Sequence, residues 1–479
     1  MPNILLINPH TPEFVRHRDK SIPIGLLYLA SALQKHKHKV KLIDVNNDFL
    51  SLEHKKQKVD ITKYFSTEFI NKLGPFKPDL VGIGCLFSGR FKIALFIGQI
   101  IKRIYPDVPI VLGGIHPTTF PKEILNEYSS IDYIILGEGE YSFLELIKAH
   151  FNDKKSLRDV DGLAFREGDQ IIINPKTKFI ENLDELPWPA YDLLDLTKYY
   201  FDTSGWYNPK NLSINVPLPI ISSRSCPNQC TFCSMFLVHG KKFRPRSAKD
   251  VVDEIEYLYE KYNHRYFSFM DDNFTLLKER VIAIAKEIIN RKLNIQFDTP
   301  NGISIKTLDR EVIDLLVKAG LVRTCIAPES GSDFIRNKAM KKGLSKEAIY
   351  EFVDIVKDYP DLYVKAFFII GYPEETKETL EETFQMIKNI MPPVKQISIF
   401  NVVPFPGTLL FEYCKEKRLI NLPLDKLHKL DVFSNYNESN QCFIKPCKLE
   451  IKDLIEFRKK AYNYMNKVRK KLCLKPIKY

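Results

Sequence analysis

The sequence predicts an α/β protein with two consecutive parallel sheets. A doubly wound, flavodoxin-like sheet spans 1–150 and a partial (β/α)6 barrel spans 216–408. A linker with a β-hairpin lies between them at 151–215, and a helical region follows at 409–479. Three observations carry this reading. Short apolar runs alternate with helix-period segments through the first third of the chain. A strand–helix unit then recurs six times, and three of the nine cysteines fall within eight residues where that repeat begins.

In the first domain Ile4–Ile7 reads as a buried strand, and Gly25–Leu33 carries apolar residues at helical spacing. Further strands are predicted at Val40–Val45, Leu80–Leu86, Pro109–Leu112 and Asp132–Leu136, with helices at Phe91–Ile104, Pro121–Tyr128 and Glu140–Ala149. Five strands joined by crossover helices form a sheet whose ligand lies at the carboxyl ends of the strands. Those ends hold Gly113-Gly114-Ile115-His116-Pro117-Thr118 and Gly137-Glu138-Gly139-Glu140. Glycine there admits a ligand close to the backbone and permits positive φ, and helix N-termini offer N–H groups to phosphate. Plain tight turns use the same glycines.

The linker begins with a hairpin, Val160–Arg166 and Gln170–Asn174 around Glu167-Gly168-Asp169. Leu186-Pro187-Trp188-Pro189-Ala190-Tyr191 then reads as a covered connection, because proline disfavours continued helix.

Barrel strands are predicted at Pro219–Ser222, Tyr266–Met270, Ile295–Thr299, Arg323–Pro328, Val364–Ile370 and Gln396–Val403. The helices are Ala248–Tyr262, capped by Ser247, then Lys278–Arg291, Arg310–Ala319, Lys346–Asp358 and Glu378–Met391. Six units without two more leave the barrel open, with its site at the carboxyl ends of the strands. Polar residues collect there. Asp271 and Asp272 can accept hydrogen bonds from an ammonium or a ribose, or cap a helix. Glu329 leaves a buried strand and needs a partner. Glu374 reads as a helix-start residue favoured by the macrodipole. Arg244 and Arg246 offer either a carboxylate site or structural ion pairs.

Beyond 409, Ile451, Leu454, Ile455, Ala461, Tyr462, Met465, Val468 and Leu472 form an apolar stripe opposite a Lys/Arg-rich face. This reads as a docking helix, or as a peripheral contact with an anionic membrane. Cys414, Cys442, Cys447 and Cys473 lack a paired spacing, which argues against a second metal site.

The chemistry centres on Cys226, Cys230 and Cys233, spaced C-x3-C-x2-C. Three thiolates on one tight loop can hold three corners of a cubic iron–sulfur cluster. No fourth cysteine follows in the loop, so one iron stays open to a ligand. The alternative is a zinc site completed by His239.

The triplet, with Phe232 just before its third cysteine, resembles the radical S-adenosylmethionine superfamily. The resemblance implies a [4Fe-4S] cluster whose open iron chelates S-adenosylmethionine, and whose electron releases a 5′-deoxyadenosyl radical. It places Phe232 near the adenine, Asp271 and Asp272 at the amino group, and Glu329 against bound S-adenosylmethionine. The turns Gly371–Thr376 and Pro404–Thr408 match the same family.

Pro23-Ile24-Gly25-Leu26-Leu27-Tyr28-Leu29-Ala30, with the two glycine turns, resembles the cobalamin-binding domain that precedes many such barrels. It implies Cys85, Ser88, Gly113, Gly114, His116, Gly137 and Gly139 as cobalamin neighbours. Methylcobalamin-binding domains typically carry Asp-x-His-x-x-Gly after the first strand, the His replacing the lower axial ligand. Here Asn8-Pro9-His10-Thr11-Pro12 stands instead, so an axial position left open or filled by another group is expected over His10.

The chain is long enough for two or three domains. Its net charge of +12 is mild for 479 residues and gives no reason to expect nucleic acid as a partner. No basic leader is evident, and no apolar run approaches the ~20 residues of a membrane helix. A cluster-forming triplet needs a reducing compartment, so cytoplasm is the expectation.

Together the resemblances imply a methyltransferase acting on an unactivated carbon or a phosphinate phosphorus of a small-molecule or lipid substrate. They also imply a reducing partner such as flavodoxin or ferredoxin. The alternatives are a radical rearrangement or oxidative cyclisation, and a cobalamin- or zinc-binding regulatory protein. A methylthiotransferase is disfavoured, because the N-terminal half has only Cys85 where those enzymes need three further cysteines.

Overall fold

Ile4, Leu5, Leu6 and Ile7 have no exposed surface, because helices cover both faces of the sheet they enter. The computed structural model describes residues 1–11, 22–54, 60–151, 155–199, 207–212, 216–429 and 442–477. Pro12, parts of the 151–215 linker and parts of the C-terminal region lie outside the described residues. The chain divides into two units, Met1–Asp202 with Leu237–Gly240 and Leu424–Asn435, and the remainder.

The first unit holds β1 (Asn3–Asn8), β2 (Lys39–Asp44), β3 (Leu80–Gly84), β4 (Ile110–Gly113), β5 (Tyr133–Ile135), β6 (Leu163–Glu167) and β7 (Gln170–Ile173). Their order is β2-β1-β3-β4-β5-β6-β7. The first five strands are parallel, and the strand order reverses at β1, which lies between β2 and β3. The hairpin assigned by sequence to the linker is the edge of this sheet, since β6 pairs antiparallel with β5 and β7 with β6. Local pattern identifies a hairpin but not the edge it joins. The proline-rich connection is covered as expected, with Ala190 N–H donating to the Leu27 carbonyl at 3.1 Å.

In the second unit β8 (Leu218–Ile220), β9 (Ser223–Arg224), β10 (Arg244–Pro245), β11 (Tyr266–Phe269), β12 (Gln296–Thr299), β13 (Leu321–Glu329), β14 (Tyr363–Ile370) and β15 (Val394–Asn401) follow in sequence. Six of them form an all-parallel sheet in the order β15-β14-β13-β12-β11-β8. Helices Ala248–Tyr262, Lys278–Asn290, Arg310–Ala319, Lys346–Val356 and Lys377–Ile390 connect its strands. Ser247, Asp309 and Ser345 cap three of these helices through side-chain oxygens. Thr376, not Glu374, caps the helix after β14, in a reciprocal box with Thr379.

Helix Ile451–Lys471 packs on β15. Leu454, Ala461, Tyr462 and Met465 of the apolar stripe are buried, whereas Ile451 and Leu472 at its two ends are 43 % and 38 % exposed. Among the described residues no helix is long and apolar enough to cross a membrane.

Candidate active site

The cluster loop runs between β9 and β10, which pair antiparallel and bring its two ends together. Ser225 enters it with φ +75, and its N–H donates to Asp272 Oδ2 at 3.0 Å. Thr231 N–H donates to the Met340 carbonyl at 3.0 Å and Leu410 N–H to the Thr231 carbonyl at 2.9 Å. Cys226, Cys230 and Cys233 line one cavity of about 420 Å³ at the carboxyl ends of the barrel strands.

Phe232, Asp272 and Glu329, which the resemblance sets beside S-adenosylmethionine, line the same cavity. Asp271 does not. It is 1 % exposed and turned into the protein, where it accepts from Ser222 Oγ at 2.7 Å, Ser222 N–H at 3.2 Å and the Ser223 hydroxyl. Burial raises its carboxyl above the ordinary range against those donors and Arg280. Asp272 faces the cavity while Asp271 braces the entry to the cluster loop.

Glu329 holds its backbone at φ +66, a conformation a non-glycine residue keeps only where its surroundings impose it. Its carboxylate accepts from Lys342 Nζ at 2.8 Å. Burial presses Lys342 toward neutrality, but Glu329 and the nearby thiols outweigh it and raise the ammonium pKa. Lys342 and Asn273, both on the cavity wall, were not identified from sequence. Asn273 Nδ2 donates to Cys226 Sγ at 3.5 Å, and Asn273 Oδ1 is buried without a hydrogen bond.

The donor set fits a cluster. Three cysteines of one loop line one cavity, and among the described residues no fourth cysteine lines it. Burial pushes the Cys230 thiol to about 11 and raises Cys233, so their thiolates need a cationic partner such as iron. Among the described residues no group of three His, Cys, Asp or Glu converges on a single ion, as zinc requires. His239, the proposed zinc ligand, instead places Nδ1 3.2 Å from Glu138 Oε1. Of the remaining C-terminal cysteines, Cys414 and Cys442 are buried and Cys447 and Cys473 exposed. Arg246 is committed to Asp250 at 2.6 Å and Glu254 at 2.5 Å, so its structural alternative is the observed one. Arg244 is 2 % exposed.

In the first unit the predicted neighbours gather at the ends of β3, β4 and β5. Gly113 has open space where a side chain would be, and Leu86 and Phe87 beside it are 50 % and 49 % exposed. Apolar surface next to a bare backbone suits a broad flat ligand such as a corrin. Gly114 (φ +115) serves the protein's own packing, since a Cβ there would lie 2.5 Å from the Cys85 carbonyl oxygen. Gly137 (φ +66) similarly approaches the Val238 carbonyl, whereas Gly139 meets nothing nearer than 3.8 Å. Cys85 is buried and its thiol pushed up to about 12. His116 Nδ1 lies 2.9 Å from Ser88 Oγ, and burial drives the imidazole down to about 3, so the ring is neutral.

His10 is turned into the core and stacks on Phe49 at 4.1 Å, which does not present it as an axial ligand. Unforeseen from sequence is a polar network where the strand order reverses. Asp44, raised by burial against its donors, accepts from Asn8 at 2.7 Å and from Tyr199 at 2.5 Å, and Arg90 donates to Asn8 at 3.0 Å.

Both resemblances are met in the comparisons. Residues 18–147 match the B12 binding domain, and residues 220–387 match the radical SAM superfamily. An uncharacterized methyltransferase of Pyrococcus horikoshii is 32 % identical over 420 residues, covering 87 % of this chain and 84 % of the relative. The cytidylyl-2-hydroxyethylphosphonate methyltransferase of Streptomyces wedmorensis is 27 % identical over 461 residues, covering 89 % and 84 %. The fold resembles that of the radical S-adenosylmethionine methyltransferase TsrM from Kitasatospora setae, with a TM-score of 0.67, 19 % identity, and 87 % and 78 % of the chains covered. The chain therefore belongs to the cobalamin-binding radical S-adenosylmethionine enzymes, and its cofactors are a [4Fe-4S] cluster, S-adenosylmethionine and cobalamin.

Proposed function

We propose that this enzyme methylates an unactivated carbon, or a phosphinate phosphorus, of a small-molecule substrate. The observation that carries the reading is the convergence of Cys226, Cys230 and Cys233 with Phe232, Asp272, Glu329 and Lys342 on one cavity. When bound, the cluster supplies the electron that cleaves S-adenosylmethionine, and cobalamin carries the methyl group. The protein's own part is positioning and shielding. The three cysteines hold the cluster, and Asp272 keeps the loop entry in its left-handed turn. The Lys342–Glu329 pair sets a cation and an anion on the cavity wall, complementary to the carboxylate and ammonium of S-adenosylmethionine. Phe232 offers an apolar face to its adenine. Gly113, with Leu86 and Phe87, receives the corrin. A flavodoxin- or ferredoxin-type donor in a reducing, cytoplasmic setting would supply electrons.

The test is anaerobic reconstitution with iron, sulfide and hydroxocobalamin, followed by incubation with S-adenosylmethionine, a reductant and candidate substrates. Methylation yields 5′-deoxyadenosine and S-adenosylhomocysteine together. A rearrangement or cyclisation yields the first without the second, and a regulatory protein yields neither.

A further inference from the structure

We propose that Lys342 sets the reduction potential of the cluster by holding its ammonium beside the cluster loop, and that Glu329 limits how much of that charge the cluster experiences. The inference rests on Cys226, Cys230 and Cys233 holding the cluster in the cavity above. It adds a residue that tunes the electron on which the reaction depends.

The fold fixes the pair from both sides. Left-handed backbone positions bracket it, with Glu329 at φ +66, Lys341 at φ +54 and Gly343 at φ +63. Lys342 N–H donates to the Arg336 carbonyl at 3.0 Å. Arg336 is fully buried, and its Nη1 reaches back to the carbonyl of Ser330, next to Glu329, at 2.8 Å. The two partners therefore share one frame, which closes on the 2.8 Å contact of Lys342 Nζ with Glu329 Oε1. The same turn is fastened to the cluster loop, since the Ala339 and Met340 carbonyls accept from Thr231 at 2.9 and 3.0 Å. Lys342 follows two residues later and lines the cavity with all three cysteines.

The surroundings give the effect its sign. Asp272 and Glu329 are the anions on the cavity wall, and Lys306 lies exposed there. The Lys342 side chain is 19 % exposed, so it is the sheltered cation of this wall, where water screens least. After burial, Lys342 is the largest influence on Cys230, ahead of the opposing Glu329, and it also acts on Cys233. Its cationic end is thus turned to the sulfurs. Reduction adds one negative charge to a cluster whose ligands are already anionic, and a fixed cation nearby favours that state. Removing the cation should lower the potential. Neutralising Glu329 while keeping Lys342 should raise it.

The test is a redox titration of the reconstituted full chain without S-adenosylmethionine, followed by electron paramagnetic resonance. Lys342→Met should make cluster reduction at least tenfold less favourable, a fall of about 59 mV for a one-electron couple. Lys342→Arg should restore the wild-type value, and Glu329→Gln should shift the potential upward. A merely structural role would lower the iron bound without moving the potential of the cluster that remains. An unmoved potential in either neutral variant that holds its cluster, or shifts of both in the same direction, overturns the proposal. If Lys342→Met holds no cluster, Glu329→Gln decides alone. Failure of the underlying reading is seen separately, as a wild type that takes up no iron–sulfur cluster at all.

Discussion

The phenol of Tyr372 donates to the hydroxyl of Thr231, which itself donates to the Ala339 carbonyl at 2.9 Å. The direction follows from chemistry, since a carbonyl only accepts. Thr231 stands between Cys230 and Phe232, so the end of β14 and the turn before Met340 fix the cluster loop. Burial raises the Tyr372 phenol well above its usual range and keeps it a donor.

Tyr372→Phe should therefore cost about 1 kcal/mol of stability and lower the iron bound per chain after reconstitution. Thr231→Val, which removes the hydroxyl from both bonds, should do more. Iron analysis and thermal melting of the two variants check this. Full iron loading at an unchanged melting temperature in both would show that the loop is held otherwise.

The cysteine triplet, Phe232 and Glu329 were legible because spacing and strand-end position are properties of sequence alone. Lys342 was not, since Lys341-Lys342-Gly343 has no periodicity and its meeting with Glu329 depends on a turn after residues 334–339. The Asp271–Asp272 pair was legible as a pair but not as two roles, because the direction in which each side chain leaves the strand end decides them. The helices after β8, β12 and β14 were placed to within a residue or two, helped by side-chain caps or amphipathic spacing. That Leu163, Ala164 and Phe165 would extend the first sheet depended on a partner strand some thirty residues away, which local pattern cannot name.

Asn273 leads to the second prediction. Its amide donates to the sulfur of Cys226, and such bonds stabilise the more negative, reduced cluster. Asn273→Ala should retain iron and shift the cluster's reduction potential downward, read by a redox titration followed by electron paramagnetic resonance. An unmoved potential with full iron would mean that the amide does not tune the cluster.

Glu375 gives a pH dependence. It is fully buried, Oε2 accepts from Gly371 N–H at 2.5 Å, and Oε1 has no hydrogen bond among the described residues. Burial pushes the carboxyl from 4.5 to about 8, against the Gly371 and Tyr372 N–H donors. Between those values the folded state keeps a proton that the unfolded chain has released, so this group's contribution to stability falls as pH rises and levels off above about 8. Glu375→Gln keeps the acceptor for Gly371 and removes the titration. It should flatten the decline between pH ~5 and ~8 and gain on the order of a few kcal/mol at the upper end. Denaturation curves of variant and wild type that stay parallel across that range would exclude the mechanism.

The final prediction concerns the free edge of the second sheet. β15 is the last strand in its order, and an edge strand exposes N–H groups that invite pairing with another chain. Helix Ile451–Lys471 removes the invitation with side chains rather than with another strand. Ile397 N–H donates to Met465 Sδ at 3.2 Å, Ile399 N–H to Tyr462 Oη at 3.3 Å, and the Lys395 carbonyl accepts from Arg469 at 2.6 Å. Ending the chain after Glu450 should therefore give concentration-dependent aggregation. Tyr462→Phe, which strands the Ile399 N–H, should cost about 1 kcal/mol. Because this helix spends its apolar face on β15, the full chain should sediment with anionic vesicles no more than with neutral ones at physiological salt. Truncated protein that stays monodisperse, together with a full chain that binds anionic vesicles, would return the helix to the membrane-facing role its sequence first allowed.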